Sequence, residues 1–276
     1  MLHHTFCHIQ GIGLATEQRL WQSGIRCWQD WPPAAPLRLP ISPVSLTAAI
    51  AQSQAALADN PAFFTSALAA GEQWRIFPQY RSQTAYIDIE TTGLDGEAEL
   101  TVVSLYDGQE VRVYVNGRNL DDFPEDVARF KVLVSYNGKS FDIPFLERYF
   151  RIRLNQAQID LRYVLAKLGY RGGLKGCEKM LGIHRPGLDQ VDGYFAVLLW
   201  QEYQHSHDPQ ALETLLAYNI EDTVNLERLA IMAYNQNIAA TPFADVLALP
   251  LPAPPLLPHH ADLACIARIR RKYGLG

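Results

Sequence analysis

Hydrophobic and polar positions alternate most clearly in Tyr86-Ile87-Asp88-Ile89-Glu90. A two-residue period puts both isoleucines on one face of a strand and both carboxylates on the other. The pattern predicts a strand near 84–90, ended by Thr91-Thr92-Gly93. Strands are also predicted near 100–107 and 110–116, joined as a hairpin at Asp107-Gly108. A helix is expected near 121–130, and the apolar run Val132-Leu133-Val134 predicts a strand near 131–136. From there to about 236 the chain reads mostly as helices. The turn signal Asn137-Gly138 leads to Pro144, which a first helical turn tolerates, and then to Phe145-Leu146-Glu147-Arg148-Tyr149-Phe150. The longest helical pattern runs from Ala211 to Ala233. Within it Tyr218 and Asp222 stand four apart, on one face and one turn from each other.

This α/β core, residues 81–236, is flanked by two other parts. Residues 1–80 read as a helical region, and 237–276 as a proline-rich linker with a basic tail. The linker run Leu249-Pro250-Leu251-Pro252-Ala253-Pro254-Pro255-Leu256-Leu257-Pro258 has polyproline character and is expected to stay outside a core. The tail cluster Arg268-Ile269-Arg270-Arg271-Lys272 either touches phosphate or forms a solvated helix face. In the first part, Ile9-Gln10-Gly11-Ile12-Gly13 with Leu20 and Gly24-Ile25 resembles half of a helix-hairpin-helix. Such a module offers backbone N–H groups and a helix N-terminus to phosphate. Trp21, Trp28 and Trp31 would pack it against the core.

Candidate chemistry lies in three acidic blocks: Asp88 and Glu90, then Asp142, then Asp222. Converging carboxylates suit hard divalent cations that clamp a phosphodiester for attack by water. Taken singly, each block has a plainer reading. The first fits an edge strand with a wet face, Asp142 the N-cap of the helix after it, and Asp222 an exposed acid beside a core tyrosine. Their joint occurrence, in order and within alternating strand and helix, favours the metal reading.

The blocks carry a family resemblance. Asp-Ile-Glu-Thr-Thr-Gly-Leu from Asp88, Asn-Gly-Lys-Ser-Phe-Asp-Ile-Pro-Phe-Leu from Asn137 and Tyr-Asn-Ile-Glu-Asp from Tyr218 resemble the three motifs of DEDD-type 3′–5′ exonucleases. The match is to the subclass whose last motif has Tyr in place of His. The wording is similar to the YprB-like exonuclease group and to proofreading domains of family-B DNA polymerases, over roughly Ala85 to Ala233. The resemblance implies a ribonuclease H-like α/β fold: a mixed five-stranded sheet flanked by helices, here with a helical N-terminal extension. It implies that Asp88, Glu90, Asp142 and Asp222 hold two Mg²⁺ or Mn²⁺ ions and that Tyr218 orients the attacking water. It places Thr91, Thr92 and Leu94 beside the terminal nucleotide, with Asn137 and Phe141 as further contacts, Phe141 being equally a core residue. Lys175, His184 and Arg185 either line a phosphate track or are surface cations at helix ends.

Composition sharpens the substrate more than the fold. The chain has 276 residues, 24 Lys and Arg against 29 Asp and Glu, and a net charge of −5. Proteins that wrap long duplexes are usually basic, so the balance favours gripping a single-stranded 3′ end with metal assistance. DNA is preferred over RNA on the hairpin-like segment. Cys7, Cys27, Cys177 and Cys265 show no Cys-x-x-Cys spacing, which excludes a zinc ribbon and fits reduced thiols in the cytoplasm. No long apolar span suggests a membrane segment, and no protein partner is indicated. Two other classes share these features: a nucleic-acid-binding scaffold with little turnover, and a structure-specific endonuclease. The first has no reason to hold mutually repelling carboxylates together.

Overall fold

A computed structural model describes residues 1–33, 37–93 and 97–275. Its centre is a sheet of five strands: β1 (Thr84–Thr91), β2 (Leu100–Tyr106), β3 (Val111–Val115), β4 (Val132–Ser135) and β5 (Ala157–Asp160). The order is β3-β2-β1-β4-β5. β1 pairs antiparallel with β2 and parallel with β4, so the sheet is mixed and β1 is central. The β2–β3 hairpin forms where expected. Asp107 Oδ1 accepts the N–H groups of Gln109 and Glu110, and Gly108 takes φ +93°, a left-handed value that glycine adopts without strain.

The two faces of β1 are both covered. Ala85, Ile87 and Ile89 join a core with Phe123, Val127, Phe145 and Leu146. Tyr86, on the carboxylate face, joins a second core with Val132, Val134, Ile220, Val224 and the N-terminal residues Leu2, Phe6, Leu20, Trp28 and Phe64. The wet edge strand is therefore excluded. The long helix Pro209–Ala239 lies against β1 and β2.

Several expectations shift. β5 is a strand that the local pattern did not show. The helix expected at 121–130 contracts to a 3₁₀ turn, Leu120–Asp122, and the short helix Phe123–Val127, because the chain must turn at once to enter β4. Gly11 does turn at φ +89° ahead of the helix Leu14–Gln22. What precedes it, however, is only the 3₁₀ turn Leu2–His4, so the first helix of a helix-hairpin-helix is absent from the described residues. Trp21 and Trp28 are buried as expected. The proline run does not stand clear: Leu249 and Leu257 pack against the main core, and Asn235 bonds both the N–H and C=O of Leu249. The tail helix Leu263–Lys272 buries Cys265, Ile266 and Ile269, while Arg268 and Lys272 pair with Asp208 and Glu202. No described helix is long and apolar enough to cross a membrane.

Candidate active site

Alternation along β1 aims Asp88 and Glu90 at the long helix, and the i,i+4 spacing on that helix aims Tyr218 and Asp222 back. The β1–β2 register shifts between Glu90 and Thr91, a bulge that ends regular pairing where the acids lie. Carboxylate oxygens of Asp88, Glu90 and Asp222 come within 4.8 Å of one another. Asp142 stands beside this group rather than within it. It is the first residue of the helix Asp142–Phe150, with Phe141 at the N-cap, so the N-cap reading of Asp142 does not hold. The neighbouring backbone N–H dipoles of Asp142 and Ile89 favour its ionised form, against the larger effect of burial.

The loop carrying Asp142 is built tightly. Asn137 adopts φ +67°. Gly138 passes so close to Ser135 that a Cβ there would lie 2.6 Å from Ser135 Cβ. Buried Asp160 accepts the N–H groups of Asn137 (2.8 Å) and Lys139 (3.3 Å) and caps its own helix through Arg162 N–H (3.0 Å).

Burial first, and then repulsion from Asp142, pushes Asp88 well above the usual carboxylate range. Asn219 Nδ2, 2.7 Å from Asp88 Oδ2, opposes the shift. Burial, then Asp88 and Asp142, raises Glu90 likewise. Burial pushes Asp142 up to about 7. Tyr218 is 5% exposed, and burial together with Glu90 and Asp88 raises its phenol. A divalent cation bound among carboxyls crowded in this way would favour their ionised forms. An all-oxygen donor set is one that hard divalent cations take.

The family described as the RNase_H superfamily matches residues 85–234, more than half of the chain. The chain belongs to the RNase H superfamily. Its five-stranded sheet, central acidic strand and long helix are the RNase H-like fold. A sequence relative is the uncharacterized protein YprB of Bacillus subtilis (strain 168), 29% identical over 175 residues. The match covers 53% of this chain and 40% of YprB, so the chain spans about two fifths of that relative's length. Among solved structures, the family B DNA polymerase of the archaeon Pyrobaculum calidifontis aligns with 16% identity and a TM-score of 0.43. That alignment covers 56% of this chain and 24% of the polymerase.

Other expected contacts of this RNase H superfamily site scatter. Thr91 Oγ1 donates to Gly93 O (2.6 Å), and Thr92 pairs with Glu99 through both its N–H (3.0 Å) and its hydroxyl (2.9 Å); both threonines thus hold the bulged turn. Leu94 lies outside the described residues. Asn137 Oδ1 accepts from Arg162, and half-buried Phe141 packs beside Phe145 with ring centroids 5.9 Å apart. Lys175 lies over the Tyr218 ring at 4.5 Å and donates to Val191 O. His184 is exposed, but Arg185 is no surface cation: it is buried between Glu178 and Asp222. Sequence reasoning missed Asp160, Glu178 and Asn219. Only Asn219 had a signal, lying inside the third motif.

Proposed function

We propose that this chain is a divalent-metal-dependent nuclease that removes nucleotides from the 3′ end of single-stranded nucleic acid, as a DEDD-type exonuclease of the Tyr subclass. The observation that carries the reading is the convergence of Asp88, Glu90 and Asp222 from β1 and the long helix, with Tyr218 alongside. Asp88, Glu90 and Asp222 would hold two Mg²⁺ or Mn²⁺ ions, with Asp142 joining from its helix start. Bound there, such ions supply Lewis-acid polarisation of the phosphodiester and neutralise charge developing on its oxygens.

The chain's own residues do the rest. Tyr218 lies near enough to Glu90 and Asp88 for their charge to raise its phenol, and would orient water; its raised pKa keeps the proton on, so it positions rather than abstracts. Lys175 brings a cation to the same side. Thr91 and Thr92 shape the turn beside which a terminal nucleotide would sit, with Asn137 at the rim. From Asn137 a cleft continues past Tyr136, Arg162, Tyr170 and Arg171. Two tyrosines and two arginines in one cleft suit a single strand, whose bases stack and whose phosphates need cations. DNA is the first substrate to test, on the likeness of the motif wording to polymerase proofreading domains.

The test is incubation of the protein with 5′-labelled single-stranded DNA and RNA in Mg²⁺, Mn²⁺ or EDTA. Progressive shortening from the 3′ end that stops in EDTA supports the reading. Activity that survives EDTA, or products cut from the 5′ end, would refute it.

A further inference from the structure

Glu178 and Arg185 belong to none of the three motif blocks, yet they are 2% and 5% exposed. Arg185 closes a fork on Glu178, Nε to Oε2 at 2.7 Å and Nη2 to Oε1 at 2.6 Å. Its remaining arm, Nη1, donates to Asp222 Oδ1. Glu178 is itself held by Asn225 Nδ2 at 3.0 Å. The fork is the strong bidentate geometry, and the Asp222 contact is a single arm. One guanidinium is thus shared between an acid outside the cluster and an acid inside it.

The sharing has an electrostatic reason. Three carboxylates with oxygens within 4.8 Å cannot all carry charge in a buried site without a nearby cation. Lys175 favours the ionised form of Glu90, but its ammonium donates to the Val191 carbonyl rather than to a carboxylate. Arg185 pairs directly with Asp222. Its charge reaches Asp88 and Glu90 as well as Asp222, and favours the ionised form of both. A divalent cation approaching Asp222 meets an oxygen already occupied.

We propose that Arg185 is the resident counter-ion of the acid cluster: it holds Asp222 in the metal-free protein, yields that oxygen to an incoming divalent cation, and withdraws onto Glu178. The proposal rests on the metal-binding reading above. Glu178 is then a parking site, which holds two arms of the guanidinium outside the cluster and makes the exchange reversible. Arg185 is a positioning residue, acting through Asp222.

The exchange makes two substitutions move metal affinity in opposite directions. Arg185→Gln removes the competitor and should tighten Mn²⁺ binding by about tenfold, the worth of one hydrogen bond to a charged group. It should also lower the melting temperature in EDTA and enlarge the rise on adding Mn²⁺. Glu178→Gln leaves the whole guanidinium charge to the acids and should weaken Mn²⁺ binding. Calorimetric titration and thermal melts read both without nucleic acid or turnover. A merely structural network would weaken binding in both variants, and that outcome, or unchanged affinity in both, overturns the proposal. Because Arg185→Gln could fail to fold, the Arg185 Nε–H resonance of the wild-type protein is followed during Mg²⁺ titration. It should move as the Asp222 contact is released, and a signal unmoved at saturating Mg²⁺ overturns the proposal. A wild-type protein that binds neither ion removes the metal reading itself, and this proposal with it.

Discussion

Gly138→Ala tests how the site loop is held. The added methyl would lie 2.6 Å from Ser135 Cβ, closer still to the Ser135 hydroxyl, and 3.7 Å from Asp142 Cβ. Carbon atoms pack at about 3.5–4.0 Å, so the turn must retreat by roughly 1 Å. Ser135 cannot give way easily, because it is a buried β4 residue paired in register with Asp160. The Gly138 carbonyl accepts from Ile143 N–H at 2.9 Å and so starts the helix that presents Asp142. Forced overpacking costs about 1–3 kcal/mol, which in a chain of this size lowers Tm by roughly 2–12 °C. A 1 Å displacement of a reacting group costs on the order of 10²-fold in rate. The assays are thermal melts in EDTA and single-turnover cleavage in Mg²⁺. Ser135→Gly removes both offending atoms, so the double variant should recover more than half of the lost Tm. A Gly138→Ala protein melting within about 1 °C of wild type, or strictly additive effects in the double variant, would refute the reasoning.

Four further outcomes follow from the geometry. Asp142 ionises near 3.8 when unfolded and at about 7 when folded, so between those values the native state binds the extra proton and metal-free stability falls as pH rises, by at most about 4 kcal/mol. His8, lowered by burial to about 4, works in the opposite direction, so the check is the difference in pH–Tm slope between wild type and Asp142→Asn. Asp88→Asn should raise metal-free Tm by relieving repulsion while lowering cleavage by several orders of magnitude; a variant keeping a tenth of the rate would remove Asp88 from the ligand set. Tyr218→Phe keeps its ring under Lys175 and should cost about 10²-fold in single-turnover rate, and wild-type rates would assign Tyr218 to packing alone. Arg171→Ala should weaken single-strand binding and flatten its salt dependence by nearly one phosphate contact, with no change in Tm. An unaltered salt slope would take the cleft off the strand's path.

The parts of this site legible in the sequence are those with a local period. Ile87-Asp88-Ile89-Glu90 declared both its strand and its carboxylate face, and Tyr218 and Asp222 declared a shared helix face. β5 was illegible because Ala157-Gln158-Ile159-Asp160 is four residues long and gains its identity only by pairing with β4. Asp160 caps the helix after it, but the loop it also holds lies 21 and 23 residues back in the chain, beyond the reach of a local pattern. Arg185 read as either a phosphate-track residue or a surface cation, because its partner Asp222 is 37 residues away and Glu178 lies across a turn. The proline run was read by composition, which is blind to the docking of Leu249 and Leu257.

The interleaving of the acids along the chain has a consequence for how the protein is made. Asp88 and Glu90 leave the ribosome early, on a strand whose partners β2 and β4 soon follow. Asp222 arrives 134 residues after Asp88, on the helix that covers the carboxylate face. At about 5–20 residues per second, that interval is on the order of ten seconds. Once β5 has been made, the nascent chain holds all five strands and Asp142 but still lacks Asp222, the third member of the Asp88–Glu90–Asp222 group. Assembly of the acid site is therefore a late event in synthesis, and a chain truncated before Asp222 lacks the side chain that completes it.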